Sequence, residues 1–256
     1  MIRNAILRRP AENFADGLTT VSLGRPDPLK VNQQYHGYCH ALARCGVALT
    51  ILEADPAHPD STFVEDTAVL IERRAILTRP GAKSREGEVD SIRGTLAKAF
   101  SSFAEIEAPG TVDGGDVCEA EKHFFIGLSQ RTNEEGSRQL AEILAGEGCT
   151  SSVVDIRAIE NILHLKSGIA YLGHNHLAVI EELASRQEFA GYDLIRVHAQ
   201  ESYAANCVRI NDHVLIASGY PALKSDLELR GYAVIPLEMS EFQKMDGGLS
   251  CLSLRF

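Results

Sequence analysis

The feature that most constrains the fold of this chain is a unit of strand, turn, strand and helix that recurs about every 40 to 50 residues. In the first clear copy, the apolar runs Thr67–Ile71 and Ala75–Thr78 flank a charged turn at residues 72–74. Val89 and Ile92 then begin an apolar spacing that predicts a helix. A unit of this length cannot bury its own apolar face, so several copies must pack around a shared core.

Later copies keep the same order of elements. Their paired apolar runs are Val117-Cys118 with Phe124–Leu128, Ile169–Leu172 with Leu177–Ile180, and Cys207–Ile210 with Val214–Ala217. Asn133 is expected to cap the helix of the second copy. The helix of the fourth copy is expected to run from Pro221 to Gly231, before a strand at Tyr232–Leu237.

Each end of the chain contains a predicted strand that lacks a hairpin mate, Asn4–Arg8 and Cys251–Leu254. The simplest arrangement pairs these two strands and closes a ring of five strand–strand–helix–strand units. After the N-terminal strand, Pro10–Asp27 has little periodicity and is a candidate lid, and a helix from Asp27 to Gly46 follows. No linker divides the units, so a single domain covering residues 1–256 is expected.

Composition narrows the functional class. Acidic residues outnumber basic ones by 35 to 25, a formal charge of −10 that repels nucleic acid and anionic lipid. Such a surface weakly attracts a small cation, although a requirement for solubility alone also explains the excess of acidic residues. No apolar run is long enough to span a membrane. The six cysteines lack zinc-site spacing, and with no apolar signal segment they predict free thiols in a cytoplasmic protein.

Unusual polar residues stand at the start of each unit. They are Glu65-Asp66, Asp113-Gly114-Gly115-Asp116, His164, Asn206-Cys207 and Ser250-Cys251. The separation of Asp66 and Asp116 is 116 − 66 = 50 residues, and that of Asp113 and His164 is 164 − 113 = 51 residues. Equivalent positions in a ring of repeats point the same way, so these side chains are expected to converge on the axis.

Each of these residues also has an ordinary structural explanation. A histidine between two leucines is commonly a satisfied core or surface residue, a single cysteine is commonly an inert buried thiol, and an Asp-Gly-Gly-Asp run favours a turn. Convergence at equivalent points of one repeat favours chemistry instead. A thiol, an imidazole and a carboxylate suit nucleophilic catalysis, and additional carboxylates suit a substrate with a guanidinium group.

At these residues the chain resembles the dimethylarginine dimethylaminohydrolases, of the guanidino-group-modifying or pentein superfamily. The segments that carry the resemblance are Pro59–Asp66, Thr78–Arg85, Thr111–Asp116, Gly127–Asn133, Leu163–Ser167 and Met245–Cys251. The resemblance extends from about residue 4 to the C-terminus. It implies an α/β fold, the five-bladed α/β propeller (pentein fold) of ββαβ-type repeats around a pseudo-fivefold axis, which agrees with the repeat pattern.

The resemblance also implies roles for individual residues. Cys251 attacks the guanidinium carbon, His164 protonates the leaving amine and then activates water, and Asp113 orients His164. Ser167 and Asp246 support the site from close by. The groups placed around the substrate are Glu65 and Asp66 for the guanidinium, Phe63 for its methyl groups, Arg85 and Arg131 for the α-carboxylate, and Asp60 with the backbone of Leu18 and Met245 for the α-ammonium. The resemblance implies no metal and no organic cofactor.

The expected function is hydrolysis of Nω-mono- and asymmetric dimethylarginine to citrulline plus methylamine or dimethylamine, through a covalent Cys251 intermediate. The partner is then a small cationic amino acid, and the oligomeric state stays open, with a homodimer as one option. An arginine deiminase or an amidinotransferase of the same fold is the first alternative. A non-catalytic propeller that binds a macromolecule is the second, and the joint presence of Asp113, His164 and Cys251 argues against it.

Overall fold

The computed structural model describes residues 1–72 and 74–256, so Arg73 of the predicted first turn lies outside the described residues. The described chain forms five three-stranded sheets. In chain order the strands are β1 Asn4–Arg8, β2 Ala48–Leu52, β3 Ala68–Ile71, β4 Arg74–Leu77, β5 Ser102–Glu105, β6 Val117–Ala120, β7 His123–Leu128, β8 Thr150–Asp155, β9 Ile169–Gly173, β10 His176–Ile180, β11 Asp193–Val197, β12 Val208–Ile210, β13 His213–Ala217, β14 Ala233–Leu237 and β15 Leu254–Arg255.

Every sheet has the same internal order. Two antiparallel strands come first, and a third strand adds parallel to the second after a crossover; the antiparallel pair is a hairpin in four sheets and joins the two chain ends, β15 and β1, in the fifth. The first strands of neighbouring sheets contact one another around a central axis, β15 with β3, β6 with β9 and β9 with β12. This arrangement is the five-bladed α/β propeller that the repeats predict.

The helices differ greatly in length. The α-helices are α1 Pro28–Arg44, α2 Glu88–Leu96, α3 Glu134–Gly146, α4 Leu165–Gly168, α5 Pro221–Leu229 and α6 Ser240–Gln243. Of these, α1, α2, α3 and α5 form crossovers between parallel strands. Asp27 and Asn133 cap α1 and α3 by accepting hydrogen bonds from backbone N–H groups of the first turn, as the sequence predicts. If the blades are counted from β3–β5, the third blade is β9–β11. It lacks the helix that the repeat predicts, because only short 3₁₀ turns at Glu181–Leu183 and Gln187–Phe189 connect β10 to β11.

The two ends of the chain close the ring. Strand β1 pairs antiparallel with β15 and parallel with β2, and the N–H groups of Arg3 and Asn4 both donate to the carbonyl oxygen of Phe256. The predicted pairing of the terminal strands is therefore confirmed. The predicted strand Cys251–Leu254 begins too early, since Ser250–Leu252 form a 3₁₀ turn before β15. This turn holds Cys251 at the end of the axis.

The apolar core lies between the sheets and the helices that cover them. Tyr38 and Leu42 of α1 pack in one cluster with Leu215 and Phe242, while Leu165 and Phe189 belong to a second cluster under the third blade. Both clusters include residues of the turns before the strands, so the polar residues of these turns lie next to buried apolar side chains. Within the described residues, the helices are too short or too polar to cross a bilayer.

Candidate active site

A turn precedes the first strand of each blade, and these turns meet at one end of the axis. Four of them are the 3₁₀ turns at Val64–Thr67, Gly114–Asp116, Ala199–Ala205 and Ser250–Leu252, and α4 takes the same place in the third blade. Because the first strands face the axis, the polar residues of the turns converge there. Of the residues predicted to converge, Asp66, His164 and Cys251 line one cavity there, whereas Glu65 and Cys207 line a separate one.

One cavity at this end of the axis brings together most of the residues expected from the sequence. Those that line it are Leu18, Asp60, Phe63, Asp66, Arg85, Arg131, His164, Met245, Asp246 and Cys251. Asp113 lies directly behind His164, whereas Glu65 lines a separate axial cavity and Ser167 lines a side cleft. The side chains of the cavity present carboxylates, two guanidinium groups, an imidazole and a thiol within one enclosure.

The imidazole of the cavity is paired with a buried carboxylate. His164 Nε2 lies 3.0 Å from Asp113 Oδ2, and Asp113 is fully buried. Burial alone would lower the pKa of His164, but the charges of Asp66 and Asp116 and the hydrogen bond to Asp113 raise it to about 9. Burial opposes ionisation of Asp113, yet its contact with His164 holds the pKa of this carboxyl below its ordinary value. At neutral pH the pair is an imidazolium and a carboxylate.

His164 stands at the start of α4, and a second buried aspartate holds this helix in place. Asp116 accepts hydrogen bonds from the N–H of Leu165 at 2.9 Å and from the hydroxyls of Ser129 and Thr132 at 2.6 and 2.7 Å. Burial raises the pKa of Asp116 to about 6. From the sequence, His164 was considered part of a strand. In the structure it lies just before the first turn of α4, where Asp116 can bond to the N–H of the next residue.

The nucleophile candidate is a buried thiol. Burial first, and then the negative charges of Glu65 and Asp66, raise the pKa of Cys251 to about 12, while the backbone N–H of Gly248 acts in the opposite direction. Burial and these charges therefore favour the neutral thiol of Cys251 at neutral pH. A cation bound beside the two carboxylates would cancel much of the field that opposes its ionisation.

Asp66 is the carboxylate that lines the cavity beside the thiol. Its Oδ2 accepts a hydrogen bond from Arg85 Nη1 at 2.5 Å, and Arg85 is held from the other side by both oxygens of Glu88 at 2.9 and 2.7 Å. The other oxygen accepts from the N–H of Gly115 at 2.8 Å. A Cβ at Gly115 would lie 2.8 Å from Asp66 Oδ1 and 2.7 Å from His164 Nδ1, so only glycine fits between them.

The neighbouring carboxylate, Glu65, is turned away from this cavity. Its Oε1 lies 2.7 Å from both Lys166 Nζ and Arg255 Nη2, and its Oε2 accepts a hydrogen bond from Ser250 Oγ at 2.7 Å. These contacts place Glu65 under the turn that carries Cys251. Direct contact between Glu65 and a substrate stays a prediction, because it would require one of these partners to move.

The outer end of the cavity is built to hold charged groups. Both oxygens of Asp60 lie 3.1 Å from the backbone nitrogen of Leu18, and burial raises the pKa of Asp60 against the opposing charge of Arg85. Arg131 reaches the same cavity from the turn after β7. Met245 is buried and contributes to the wall next to Leu18. An anionic and a cationic group can thus be bound at this end.

The segment predicted as a lid covers the cavity and is fastened to the opposite wall. Asp246 accepts hydrogen bonds from the backbone N–H of Thr20 at 2.5 Å and from its hydroxyl at 3.1 Å, and Thr19 Oγ1 donates to the carbonyl of Lys244 at 3.0 Å. Ser167 supports the other side of the site, where its hydroxyl lies 3.4 Å from the backbone nitrogen of His164. Both residues therefore lie next to the site, as expected.

Three buried polar residues of the site were not assigned a role from the sequence. Asp116 and Asn206 stand in the strand-start positions that the repeat marks, so their location was visible but their contacts were not. Glu88 lies three residues after Arg85, the spacing that places two side chains on one helix face. Glu88 was not identified from the sequence because an i, i+3 ion pair usually lies exposed on the surface.

Asp66, Asp113 and His164 also form the one group among the described residues whose donor atoms could surround a metal ion, all within 4.8 Å of one another. These donors already have partners, since Asp66 pairs with Arg85 and Asp113 with His164. The cluster is therefore better described as a hydrogen-bonded network than as a metal centre.

Comparison with known proteins identifies the family. The family model described as arginine deiminase matches residues 52–197. An N(G),N(G)-dimethylarginine dimethylaminohydrolase of Pseudomonas aeruginosa is 46% identical over the full length of both chains, and one of Streptomyces coelicolor is 32% identical over 99% of this chain and 96% of its own. The structure of a Cys-to-Ser variant of the Pseudomonas aeruginosa enzyme with citrulline superposes with a TM-score of 0.97 at 45% identity, covering all of both chains.

A more distant structure shares the fold. The N-terminal domain of a cyanobacterial arginine dihydrolase superposes with a TM-score of 0.87 at 17% identity, over 99% of this chain and 97% of that one. The full-length match to the Pseudomonas aeruginosa enzyme, together with the cavity that joins Cys251 to the His164–Asp113 pair, settles the relationship. This chain belongs to the dimethylarginine dimethylaminohydrolase family.

Proposed function

We propose that this chain hydrolyses Nω-monomethyl- and asymmetric Nω,Nω-dimethylarginine to citrulline, with release of methylamine or dimethylamine. The observation that carries the proposal is a single cavity in which the Cys251 thiol and the His164 imidazole lie beside Asp66, with Arg131 and Asp60 at the outer end. Relatives that carry the name of this activity match the whole chain, and one of them is known with citrulline bound.

Substrate binding prepares the nucleophile. The guanidinium of the substrate lies against Asp66, the α-carboxylate against Arg131 and Arg85, and the α-ammonium near Asp60. Arg85 uses most of its donors on Asp66, Glu88 and backbone oxygens, and one N–H of Nη1 remains for the substrate. The bound cation offsets the negative field around Cys251, so the thiol loses its proton to solvent more readily in the complex than in the free enzyme.

Two displacement steps follow. The Cys251 sulfur attacks the guanidinium carbon, the carbon–nitrogen bond to the methylated nitrogen breaks, and the imidazolium of His164 gives its proton to the departing amine. This leaves a covalent thiouronium on Cys251 and a neutral His164. The imidazole then takes a proton from water and the resulting hydroxide attacks the same carbon. The carbon–sulfur bond breaks as the new hydroxyl loses its proton to solvent, which releases citrulline and regenerates the Cys251 thiolate.

Recognition of the substrate end that carries the methyl groups depends on hydrogen bonds more than on apolar contact. A methyl group on the second terminal nitrogen would remove an N–H that Asp66 accepts, and a buried carboxylate left without its partner is costly. The symmetric dimethyl isomer should therefore react poorly. Phe63, packed against Phe14 and Phe242, supplies an apolar wall, and such contact discriminates by only about 1–3 kcal/mol per methyl group.

An arginine deiminase is the second candidate, because the matching family model carries that description. The experiment that separates the two is citrulline release from arginine and from its monomethyl, asymmetric dimethyl and symmetric dimethyl derivatives. We expect kcat/KM for the monomethyl and asymmetric dimethyl forms to exceed that for arginine. A kcat/KM for arginine well above both would overturn the proposed activity.

The proposal also covers the domain organisation and the cellular location of the enzyme. We infer that residues 1–256 act as a single catalytic domain, because the terminal strands complete the same ring of blades. All six cysteines are free in the structure, which supports a reducing compartment and a cytoplasmic location. Formation of a homodimer stays a prediction.

A further inference from the structure

The fourth blade also places a polar side chain at the end of the axis where the active site lies. Asn206 lies two residues before β12, the first strand of that blade, just as Asp66 lies two residues before β3. It is 6% exposed, and no step of the proposed reaction uses it. A buried amide at this place must have its hydrogen bonds satisfied by the residues around it.

The Asn206 side chain joins the two turns that carry the reacting groups. Its Oδ1 accepts a hydrogen bond from the N–H of Ser250 at 2.9 Å, and its Nδ2 donates to Ser250 Oγ at 3.0 Å. The same Nδ2 donates to the carbonyl of Lys166 at 2.9 Å. Ser250 immediately precedes Cys251, and Lys166 lies two residues after His164 in α4.

Asn206 also supports the backbone that faces the thiol. A Cβ at Gly248 would lie 2.5 Å from the Asn206 side chain, so this stretch of backbone runs directly against the amide. The N–H of Gly248 is the backbone donor that favours the ionised form of Cys251. One side chain therefore fixes the turn before the sulfur, the donor beside the sulfur and the helix next to the imidazole.

We propose that Asn206 is a positioning residue. By bonding to both Ser250 and Lys166, it holds Cys251 and His164 in a fixed relative position across the axis. This inference rests on the proposed chemistry of Cys251 and His164. An error of about 1 Å in the placement of reacting groups lowers the rate by about 100-fold, so loss of the bridge should act on kcat more than on KM. The substrate-binding groups at Asp60 and Arg131 are not among its contacts.

The test compares Asn206→Asp and Asn206→Ala with Asn211→Asp. Asn211 lies in the same blade and makes an equal set of side-chain bonds, from the N–H of Ile2 and to the carbonyls of Ile2 and Cys45, but it is remote from the site. We expect both Asn206 variants to lose about 10- to 100-fold in kcat for asymmetric dimethylarginine, with KM changed by less than about threefold. Asn211→Asp should lose thermal stability and keep kcat.

A second measurement does not depend on the substrate. The rate of carboxamidomethylation of Cys251 by iodoacetamide at fixed pH, followed by peptide mass spectrometry, should fall severalfold in Asn206→Ala. That variant adds no charge but removes the bonds to Ser250, so the Gly248 N–H that favours the thiolate is no longer held beside the sulfur. Asn211→Asp should match the wild type. Unchanged kcat and unchanged alkylation in both Asn206 variants would overturn the positioning role. A wild-type enzyme without activity on any methylarginine would instead overturn the proposed function, and the alkylation rates would still decide the role of Asn206.

Discussion

At the scale of single residues, the ionisation of Cys251 is the property on which the proposed chemistry depends. Replacing it by Ser removes the thiolate and leaves a hydroxyl that ionises far less readily, so turnover should fall by at least about 10³-fold while the protein stays folded. Citrulline release and thermal unfolding measure the two effects. Cys149, which is only partly buried, is the matched control, and Cys149→Ser should keep full activity. Comparable activity in folded Cys251→Ser would rule out covalent catalysis by this residue.

The pair of His164 and Asp113 predicts the pH dependence. His164 must be protonated to protonate the leaving amine, and its pKa in the free enzyme is raised to about 9, so kcat/KM should decline as pH rises through about 9. Asp113→Asn removes one of the charges that favour the imidazolium. The declining limb should then move to lower pH, with a loss of about 10²-fold or more in kcat.

A control with the same change of charge is available at the surface. Asp155 is an exposed partner of Arg157, and Asp155→Asn should leave both kcat and the pH profile unchanged. A full profile of kcat/KM against pH for the three proteins measures the shift. An Asp113→Asn profile that coincides with the wild type would show that Asp113 does not set the proton affinity of His164.

At the scale of elements, hydrogen bonds to the opposite side of the cavity hold the Pro10–Asp27 segment in place. Two of the hydrogen bonds that hold it over the cavity run from Thr20 to Asp246, and hydrogen bonds to a charged group contribute about 1.5–3 kcal/mol. Asp246→Gly removes the carboxylate and suits the positive φ of 56° at that position. KM for asymmetric dimethylarginine should rise by about 10-fold or more, with a smaller change in kcat.

The same segment offers its own control. Asp16 forms an ion pair with Arg25, both half-exposed or more, and pairs of this kind contribute little to stability. Asp16→Ala should therefore leave KM unchanged in the same steady-state assay. Equal KM values for Asp246→Gly and the wild type would mean that the closed position of the segment does not contribute to substrate binding.

The elements also show where prediction from the sequence was incomplete. Strand β1 was predicted with its exact bounds, because four of its five residues are buried and the run stands between polar segments. The third strands β2, β5 and β8 were not delimited. They lie at the outer edge of each sheet and expose many of their side chains, so their apolar pattern is weak.

At the scale of the whole molecule, the ring is closed by the short strand β15. Leu254 is 4% exposed, pairs with Ile6 within the sheet that closes the ring, and belongs to one apolar cluster with Val64 of the turn before β3. Leu254→Ala should lower the free energy of unfolding by about 2–5 kcal/mol, measured by urea denaturation. Leu229, which is 84% exposed, is the control, and Leu229→Ala should stay within about 0.5 kcal/mol of the wild type. Equal losses in the two variants would contradict the closure as a source of stability.

The sequence by itself determined the repeat, the closure of the ring and the set of side chains that meet on the axis. These follow from local patterns, since the period of apolar residues defines the strands and equal spacing puts polar residues at equivalent points. The tertiary structure alone decided what each side chain contacts. Glu65 and Asp66 are adjacent, yet Glu65 pairs with Lys166 and Arg255 while Asp66 faces Arg85 and the thiol. Successive side chains point in different directions, and their partners come from other blades, at separations in the chain that no local pattern encodes.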